Sequence, residues 1–213
     1  MDSPKILRNR KLGEKVVQAF KNRFFEAWYF DDIPEAVEKA ISLIPKDHTV
    51  GWGGSQTLNE ISIKDRLVQD GYKVLDRDKA PNLEEREKIM RQVMLCDTFI
   101  TGSNAVVEDG QLVNIDGAGN RVAAMIYGPG QVIVIAGMNK VVKTVEDGVV
   151  RTQTTSAPIN VQRFPDSQAP CKKTGSCVNC MSSDSLCNIF VRIRMCRPAG
   201  RIKVILIGQD LGM

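Results

Sequence analysis

Residues 48–71, HTVGWGGSQTLNEISIKDRLVQDG, place a strand, a glycine-rich turn and a helix in direct succession. Ser55 is a suitable N-terminal cap for that helix, and Gly71 is a suitable end for it. Further along, YKVLD and DTFIT indicate strands separated by the helical segment NLEEREKIMRQVML. The uninterrupted β-branched run QVIVIAG is typical of a central parallel strand. The sequence therefore predicts an α/β fold, an open and mostly parallel sheet with helices on both faces.

The remaining segments are assigned around this pattern. Residues 1–45 are expected to form an N-terminal helical segment, with one amphipathic helix over residues 3–30 and a second over residues 31–44. Residues 46–213 form the α/β domain, in which VEDGQLV predicts a hairpin at Asp109-Gly110. A helix and an extended linker then lead to a cysteine-rich loop at 170–188, after which CNIFVRIRMC and GRIKVILIG predict two strands that return the chain to the sheet.

Composition limits the classes of function. Of the 213 residues, 43% are hydrophobic and 25% charged, and the net charge is only +4 with basic residues scattered among acidic ones, so nucleic-acid binding is not indicated. The N-terminus lacks the apolar region of a secretory signal, and no apolar run approaches the length of a membrane span. We expect a cytoplasmic protein without membrane contact, in which thiols stay reduced.

A group of cysteines is the most specific chemical signal. Cys171, Cys177, Cys180 and Cys187 follow the spacing C-x5-C-x2-C-x6-C. Four soft thiolate ligands suit a [4Fe–4S] cluster or a zinc ion, although a zinc ribbon usually has two CxxC pairs and this chain has one. Reduced thiols or disulfides remain a third interpretation. Cys196 lies within a predicted strand and is expected to be buried.

Small and polar residues follow several predicted strands. They occupy residues 51–57, 101–104, 114–121 and 137–140. Because ligands in open α/β sheets bind beyond the carboxyl ends of the strands, these segments predict a shared crevice. Asp116, Asn120 and Lys140 are its candidates for polar recognition or acid–base catalysis, while the plainer interpretation is that the glycines, Asp116 and Asn120 simply form turns.

Three stretches resemble the LUD family, named for lactate utilisation: GWGGSQTLNEI, DTFITGSNAVVEDGQLVNIDGAGNRVAAMIYGPGQVIVIAGMNKVV and GRIKVILIGQDLGM. The resemblance extends over nearly the whole chain. It implies a fold like that of glucosamine-6-phosphate deaminase, ribose-5-phosphate isomerase and the CoA-transferases. It also implies a pocket for a small anion, which we carry over to the matching positions Gly53, Gly54, Ser55, Thr101, Gly102, Asn104, Asp116, Asn120 and Lys140.

The resemblance also implies a redox function in organic-acid metabolism. Some relatives belong to a system that oxidises lactate, in which iron–sulfur subunits pass electrons onward. We therefore expect an oxidoreductase, or a subunit of one, that binds a small organic anion beside a cysteine-held [4Fe–4S] cluster and has an electron-transfer partner protein. A homodimer is compatible with this interpretation. Two alternatives stay open: an isomerase or transferase acting on a sugar phosphate or acyl-CoA, with Asp116 or Glu60 as base, and a non-catalytic zinc-stabilised ligand-binding subunit.

Overall fold

Six parallel strands form the main sheet of the computed structural model, which describes residues 2–213. Their order across the sheet is β1-β10-β7-β4-β2-β3. The strands are β1 (Glu26–Phe30), β2 (Thr49–Trp52), β3 (Lys73–Leu75), β4 (Thr98–Thr101), β7 (Gln131–Gly137) and β10 (Ile202–Ile207). The predicted α/β class with a largely parallel sheet is confirmed.

Helices cover both faces of this sheet. They are α1 (Pro4–Lys21), α2 (Ile33–Ser42), α3 (Gln56–Glu60), α4 (Ile63–Gln69), α5 (Leu83–Gln92), α6 (Asn120–Ile126), α7 (Val145–Arg151), α8 (Ala157–Asn160) and α9 (Pro170–Thr174). Strand β7 shows the two faces: Val132 and Val134 belong to a core with α1 and α6, whereas Ile133 and Ile135 belong to a core with α2, α3 and α4. Burial on both sides explains why its sequence is apolar without alternation.

A second, smaller sheet has the order β8-β5-β6-β9. Its strands are β5 (Ala105–Val107), β6 (Gln111–Asp116), β8 (Val141–Val142) and β9 (Ile189–Ile193). The predicted hairpin at Asp109-Gly110 is confirmed, since β5 and β6 pair antiparallel. Residues 102–104 join β4 to β5, and residues 138–140 join β7 to β8. The second sheet therefore begins where two central strands of the main sheet end.

The prediction of one helix over residues 3–30 is wrong. Helix α1 ends at Lys21, and Phe24 adopts φ 66°, a left-handed conformation that a helix does not continue through. Residues 26–30 form an edge strand that pairs in register with β10. The segment EAWYF is rich in aromatic residues, which favour strands, and this preference prevails over the helical spacing of the apolar residues.

Two predictions about the C-terminal third also need correction. No extended linker follows α7, because the chain continues through a π-helical turn at Thr152–Ser156, helix α8 and a 3-10 turn at Val161–Arg163. Pro158 lies in the first turn of α8, where a proline fits helical geometry and needs no N–H partner. The two predicted final strands exist, but only β10 joins the main sheet; β9 pairs with β6 in the second sheet.

Within residues 2–213, none of the helices has the length and apolar character that crossing a bilayer requires.

Candidate functional site

A cavity of about 450 Å³ opens beyond the carboxyl ends of β2, β4 and β7. Its wall comes from the strand-end connections, the second sheet, α5 and the α7–α8 region. The lining residues are Gly54, Ser55, Gln56, Arg77, Arg86, Met90, Gly102, Ser103, Asn104, Ile115, Asp116, Gly117, Ala118, Asn120, Arg121, Lys140, Ser156, Ala157, Asn160, Arg163, Phe164, Leu186 and Met213. A concave space of this size suits a small organic ligand.

Most of the residues assigned to a pocket from the sequence lie around this one cavity. They are Gly54, Ser55, Gly102, Asn104, Asp116, Asn120 and Lys140. The structure does not bring Gly53 or Thr101 to the cavity wall: Gly53 faces the aliphatic part of Arg121, and the buried Thr101 hydroxyl donates to the Gly102 carbonyl at 3.1 Å. Whether the seven residues bind a ligand stays a prediction.

The cavity is strongly basic. Five of its lining residues carry basic side chains, Lys140 and the arginines Arg77, Arg86, Arg121 and Arg163, against the single carboxylate of Asp116. None of the four arginines was assigned to the site from the sequence. The place of Arg121 at the cavity could have been predicted from the sequence, because Arg121 directly follows Asn120 after the glycine turn. Such an excess of positive charge in a partly enclosed space favours an anionic ligand.

Arg121 organises the floor of the cavity. Its Nη1 donates to Asn114 Oδ1 at 2.7 Å, and its Nη2 donates to Asn104 Oδ1 at 2.8 Å and to the Ile115 carbonyl at 2.7 Å. Burial lowers the pKa of the guanidinium, and the nearby Asp116 acts in the opposite direction. The side chain therefore joins the β4–β5 connection to the end of β6 while remaining a lining residue.

Asp116 makes contacts that hold the backbone in place. Its Oδ2 accepts hydrogen bonds from the backbone N–H groups of Arg121 and Val122 at 3.1 and 3.2 Å. Its Oδ1 lies 3.9 Å from Arg121 Nε. These contacts satisfy orphan N–H groups at the start of α6, as a capping carboxylate does. They explain the residue without catalysis, and its acid–base role stays a prediction.

Lys140 is a buried amine in the 3-10 turn after β7. Only 4% of the residue is exposed, and its Nζ donates to Thr57 Oγ1 at 2.8 Å. Burial, and then the charges of Arg151 and Arg121, lower its pKa to about 7, while Glu60 acts in the opposite direction. Near neutral pH a substantial fraction of this amine is therefore uncharged, which suits it to accept or donate a proton.

The cysteine loop, residues 170–188, carries its four thiols on α9 and the irregular segment that follows. All four are free and partly exposed. Burial, and then the charges of Cys171, Cys177 and Cys180, raise the pKa of Cys187 to about 11, so these three thiols are near enough to Cys187 to act on it. The donor set fits a [4Fe–4S] cluster or zinc in type and number. As arranged within residues 2–213, however, no three Cys, His, Asp or Glu side chains form a ready metal site.

The cysteine loop also touches the cavity. Leu186, next to Cys187, is a lining residue, and a Cβ on Gly117 would lie 3.4 Å from the Leu186 Cα. Asn188 donates its backbone N–H to the Asp116 carbonyl at 3.1 Å and its amide to the Gly117 carbonyl at 3.2 Å. A group held by the loop would therefore be near the basic cavity.

Comparisons with known proteins agree with this architecture. A family model described as the LUD domain matches residues 13–207. A DUF162 family protein from Deinococcus radiodurans has a similar structure, with TM-score 0.54 and 12% identity over 93% of this chain and 98% of its own.

More distant structures match only part of the chain. Ribose-5-phosphate isomerase A from Neisseria gonorrhoeae shows 20% identity and TM-score 0.34 over 52% of each chain. The Methanocaldococcus jannaschii enzyme shows 17% identity and the same TM-score over 52% of this chain and 53% of its own. No curated protein matches the sequence. Because the family model spans almost the full length, the chain belongs to the LUD domain family.

Proposed function

We propose that this LUD-family protein binds a small organic acid in the basic cavity and takes part in its oxidation or reduction through a [4Fe–4S] cluster held by the cysteine loop. One observation carries the proposal: a cavity lined by five basic side chains and one acidic side chain adjoins a loop that carries four free, partly exposed cysteines. The electrons would pass to or from a partner protein. The substrate class that we propose is a lactate-type organic acid.

The residues of the chain supply binding and proton handling. The basic side chains neutralise the carboxylate of the ligand and orient it, while the second sheet and the cysteine loop form part of the cavity wall. Oxidising a hydroxy acid to a keto acid releases two protons and two electrons. The Lys140 amine, with its pKa of about 7, is suited to accept one proton while the other passes to solvent, and the two electrons would leave one at a time for the partner protein. A [4Fe–4S] cluster bound by Cys171, Cys177, Cys180 and Cys187 would supply one-electron transfer.

A zinc-stabilised ligand-binding protein is the second candidate. The thiolate set fits zinc as well as iron–sulfur, and the same cavity then binds its anion without redox chemistry. The isomerase alternative has less support, because both proposed bases already bond to backbone N–H groups. Asp116 caps α6, and Glu60 Oε2 accepts from the Gly212 N–H at 2.6 Å.

Anaerobic purification followed by metal and sulfide analysis tests the cluster. The proposal expects about four iron and four sulfide per chain, a broad visible absorption band, and loss of both in Cys177→Ser. Cys96→Ser is the matched control, because Cys96 is buried beside β4 and away from the loop. Stoichiometric zinc without iron would establish the second candidate, and absence of both metals would refute the redox proposal.

Calorimetry with lactate and glycolate tests the anion site. Both acids are expected to bind wild-type protein, with affinity that falls as ionic strength rises. Lys140→Met should weaken binding, whereas Lys143→Met, an exposed lysine on the neighbouring connection, should not. Equal behaviour of the two variants would contradict a role for the cavity.

A further inference from the structure

We infer that one end of the cavity is a phosphoryl-binding site made by Arg77, Arg86 and Arg163, which we call the arginine cluster. The inference rests on the proposed function, because it names the class of ligand that the same cavity takes: a small organic acid that also carries a phosphate group. The three arginines come from separate elements, the 3-10 turn after β3, helix α5 and the 3-10 turn after α8.

Two members of the arginine cluster contact the same glycine. Arg163 Nη1 donates to the Gly54 carbonyl at 3.1 Å. A Cβ on Gly54 would lie 2.4 Å from Arg77 Nη2, so the absence of a side chain there admits the guanidinium. The glycine turn after β2 thus brings two positive groups together at the wall of the cavity. Arg86 lines the same cavity from α5.

Within residues 2–213, only one acidic side chain, Asp78, lies at ion-pair distance from the three arginines of the cluster. Arg77 Nε is buried without a hydrogen-bond partner, because Asp78 Oδ1, at 3.7 Å, is within ion-pair distance but too far for a hydrogen bond. The same carboxylate is shared with Lys64, whose Nζ donates to Asp78 Oδ2 at 2.9 Å. Among the described residues, no hydrogen bond or ion pair involves the Arg86 side chain. Burial lowers the pKa of Arg77, and the charge of Arg86 also lowers it, while the charges of Asp78 and Asp116 act in the opposite direction.

A phosphoryl group suits this arrangement better than a second carboxylate. It carries close to two negative charges and three acceptor oxygens, whereas a carboxylate carries one charge and two oxygens. Guanidinium groups donate through several N–H groups in a planar fork that matches phosphate oxygens. Lys140, which also lines the cavity, remains available for the carboxylate of the same ligand.

The test compares glycolate with phosphoglycolate by calorimetry at constant ionic strength. Wild-type protein is expected to bind phosphoglycolate at least about tenfold more tightly, as expected for added charge-assisted hydrogen bonds. Arg86→Gln should lower phosphoglycolate affinity about tenfold and change glycolate affinity less than about twofold. The control is Arg91→Gln, an exposed arginine on the same helix that pairs only with Glu87; it should change neither.

Each other outcome is decisive. Equal affinity for the two probes in wild-type protein overturns the arginine cluster as a phosphoryl site and leaves the organic-acid proposal standing. Equal losses of phosphoglycolate affinity in Arg86→Gln and Arg91→Gln also overturn the phosphoryl site, because they show that any nearby positive charge has the same effect. If neither glycolate nor phosphoglycolate binds, the anion site itself is refuted. The iron analysis tests the cluster separately, so failure of the anion site and failure of the cluster can be told apart.

Discussion

At the scale of single residues, Lys140 is a group whose chemistry departs strongly from its ordinary state. Its amine is nearly inaccessible to solvent, hydrogen-bonds to Thr57, and has no carboxylate at ion-pair distance within residues 2–213. A charged ammonium in this position loses hydration that one hydrogen bond does not replace. The uncharged form is therefore favoured at a pH where exposed lysines are fully protonated.

This lowered pKa predicts a pH dependence of stability. Between about pH 7 and 10.5 the unfolded chain binds a proton at Lys140 that the folded chain has released, so the free energy of unfolding should rise with pH. The contribution has a slope of up to about 1.4 kcal/mol per pH unit. Urea unfolding at pH 7, 8 and 9 measures it.

The comparison with variants isolates that contribution. Lys140→Met should show a flatter increase than wild type, whereas Lys143→Met should follow wild type over this range because that exposed lysine has its pKa raised by Glu108. Titration of all other groups is common to the three proteins and cancels. Parallel curves for wild type and Lys140→Met would contradict a strongly lowered pKa.

The arginines of the cavity are the site residues that could not all be predicted from the sequence. Asp116, Asn120 and Lys140 were located because each follows a predicted strand, and strand ends share an edge. Arg77 also follows a strand, β3, so its place at the cavity could have been predicted on the same grounds. Arg86 and Arg163 lie on helical segments, whose position over the cavity depends on tertiary packing that no local pattern specifies.

At the scale of elements, the local sequence pattern was sufficient to predict a strand or helix where the burial pattern and the intrinsic structural propensity of the residues agreed. Strand β7 is apolar throughout and lies in the sheet centre, as its sequence indicates. Residues 26–30 have apolar residues at helical spacing but also aromatic residues that favour strands. Pairing with β10 makes this segment a strand. The second sheet was not predicted, because its pairing of β6 with β9 joins segments far apart in sequence.

Helix α6 allows the structural role of Asp116 to be separated from a chemical one. Asp116→Ala removes the acceptor for two backbone N–H groups and should lower the free energy of unfolding by about 1–2 kcal/mol. Asp116→Asn keeps an acceptor oxygen and should lose much less. Chemical denaturation of the two variants beside wild type measures the difference.

The affinity for glycolate is the second measurement that separates the two roles of Asp116. Asp116→Asn removes the one acidic side chain among the lining residues, so glycolate should bind the variant at least as tightly as wild type. If affinity instead falls severalfold while stability is retained, Asp116 contacts the ligand directly. The capping interpretation would then be incomplete.

At the scale of the whole molecule, the cysteine loop is attached to the cavity and separate from the hydrophobic core. None of residues 170–188, all of which the structure describes, is buried. The loop nevertheless lies against the cavity through Leu186, and Lys172 Nζ donates to the carbonyl of the lining residue Phe164. Rearrangement of the loop should therefore affect ligand binding more than folding.

Removal of the metal tests this separation. Chelation of the loaded protein, or Cys180→Ser, should leave the far-UV circular dichroism and the main unfolding transition nearly unchanged, because the two large cores are built without the loop. Glycolate affinity should change severalfold, since ordering of the loop fixes the position of Leu186. Cys196→Ser provides the contrast: Cys196 Sγ accepts the Ile202 N–H within the core, so that variant should lose stability without losing metal. Cooperative unfolding of the whole chain on chelation would show instead that the metal is part of what holds the α/β body together.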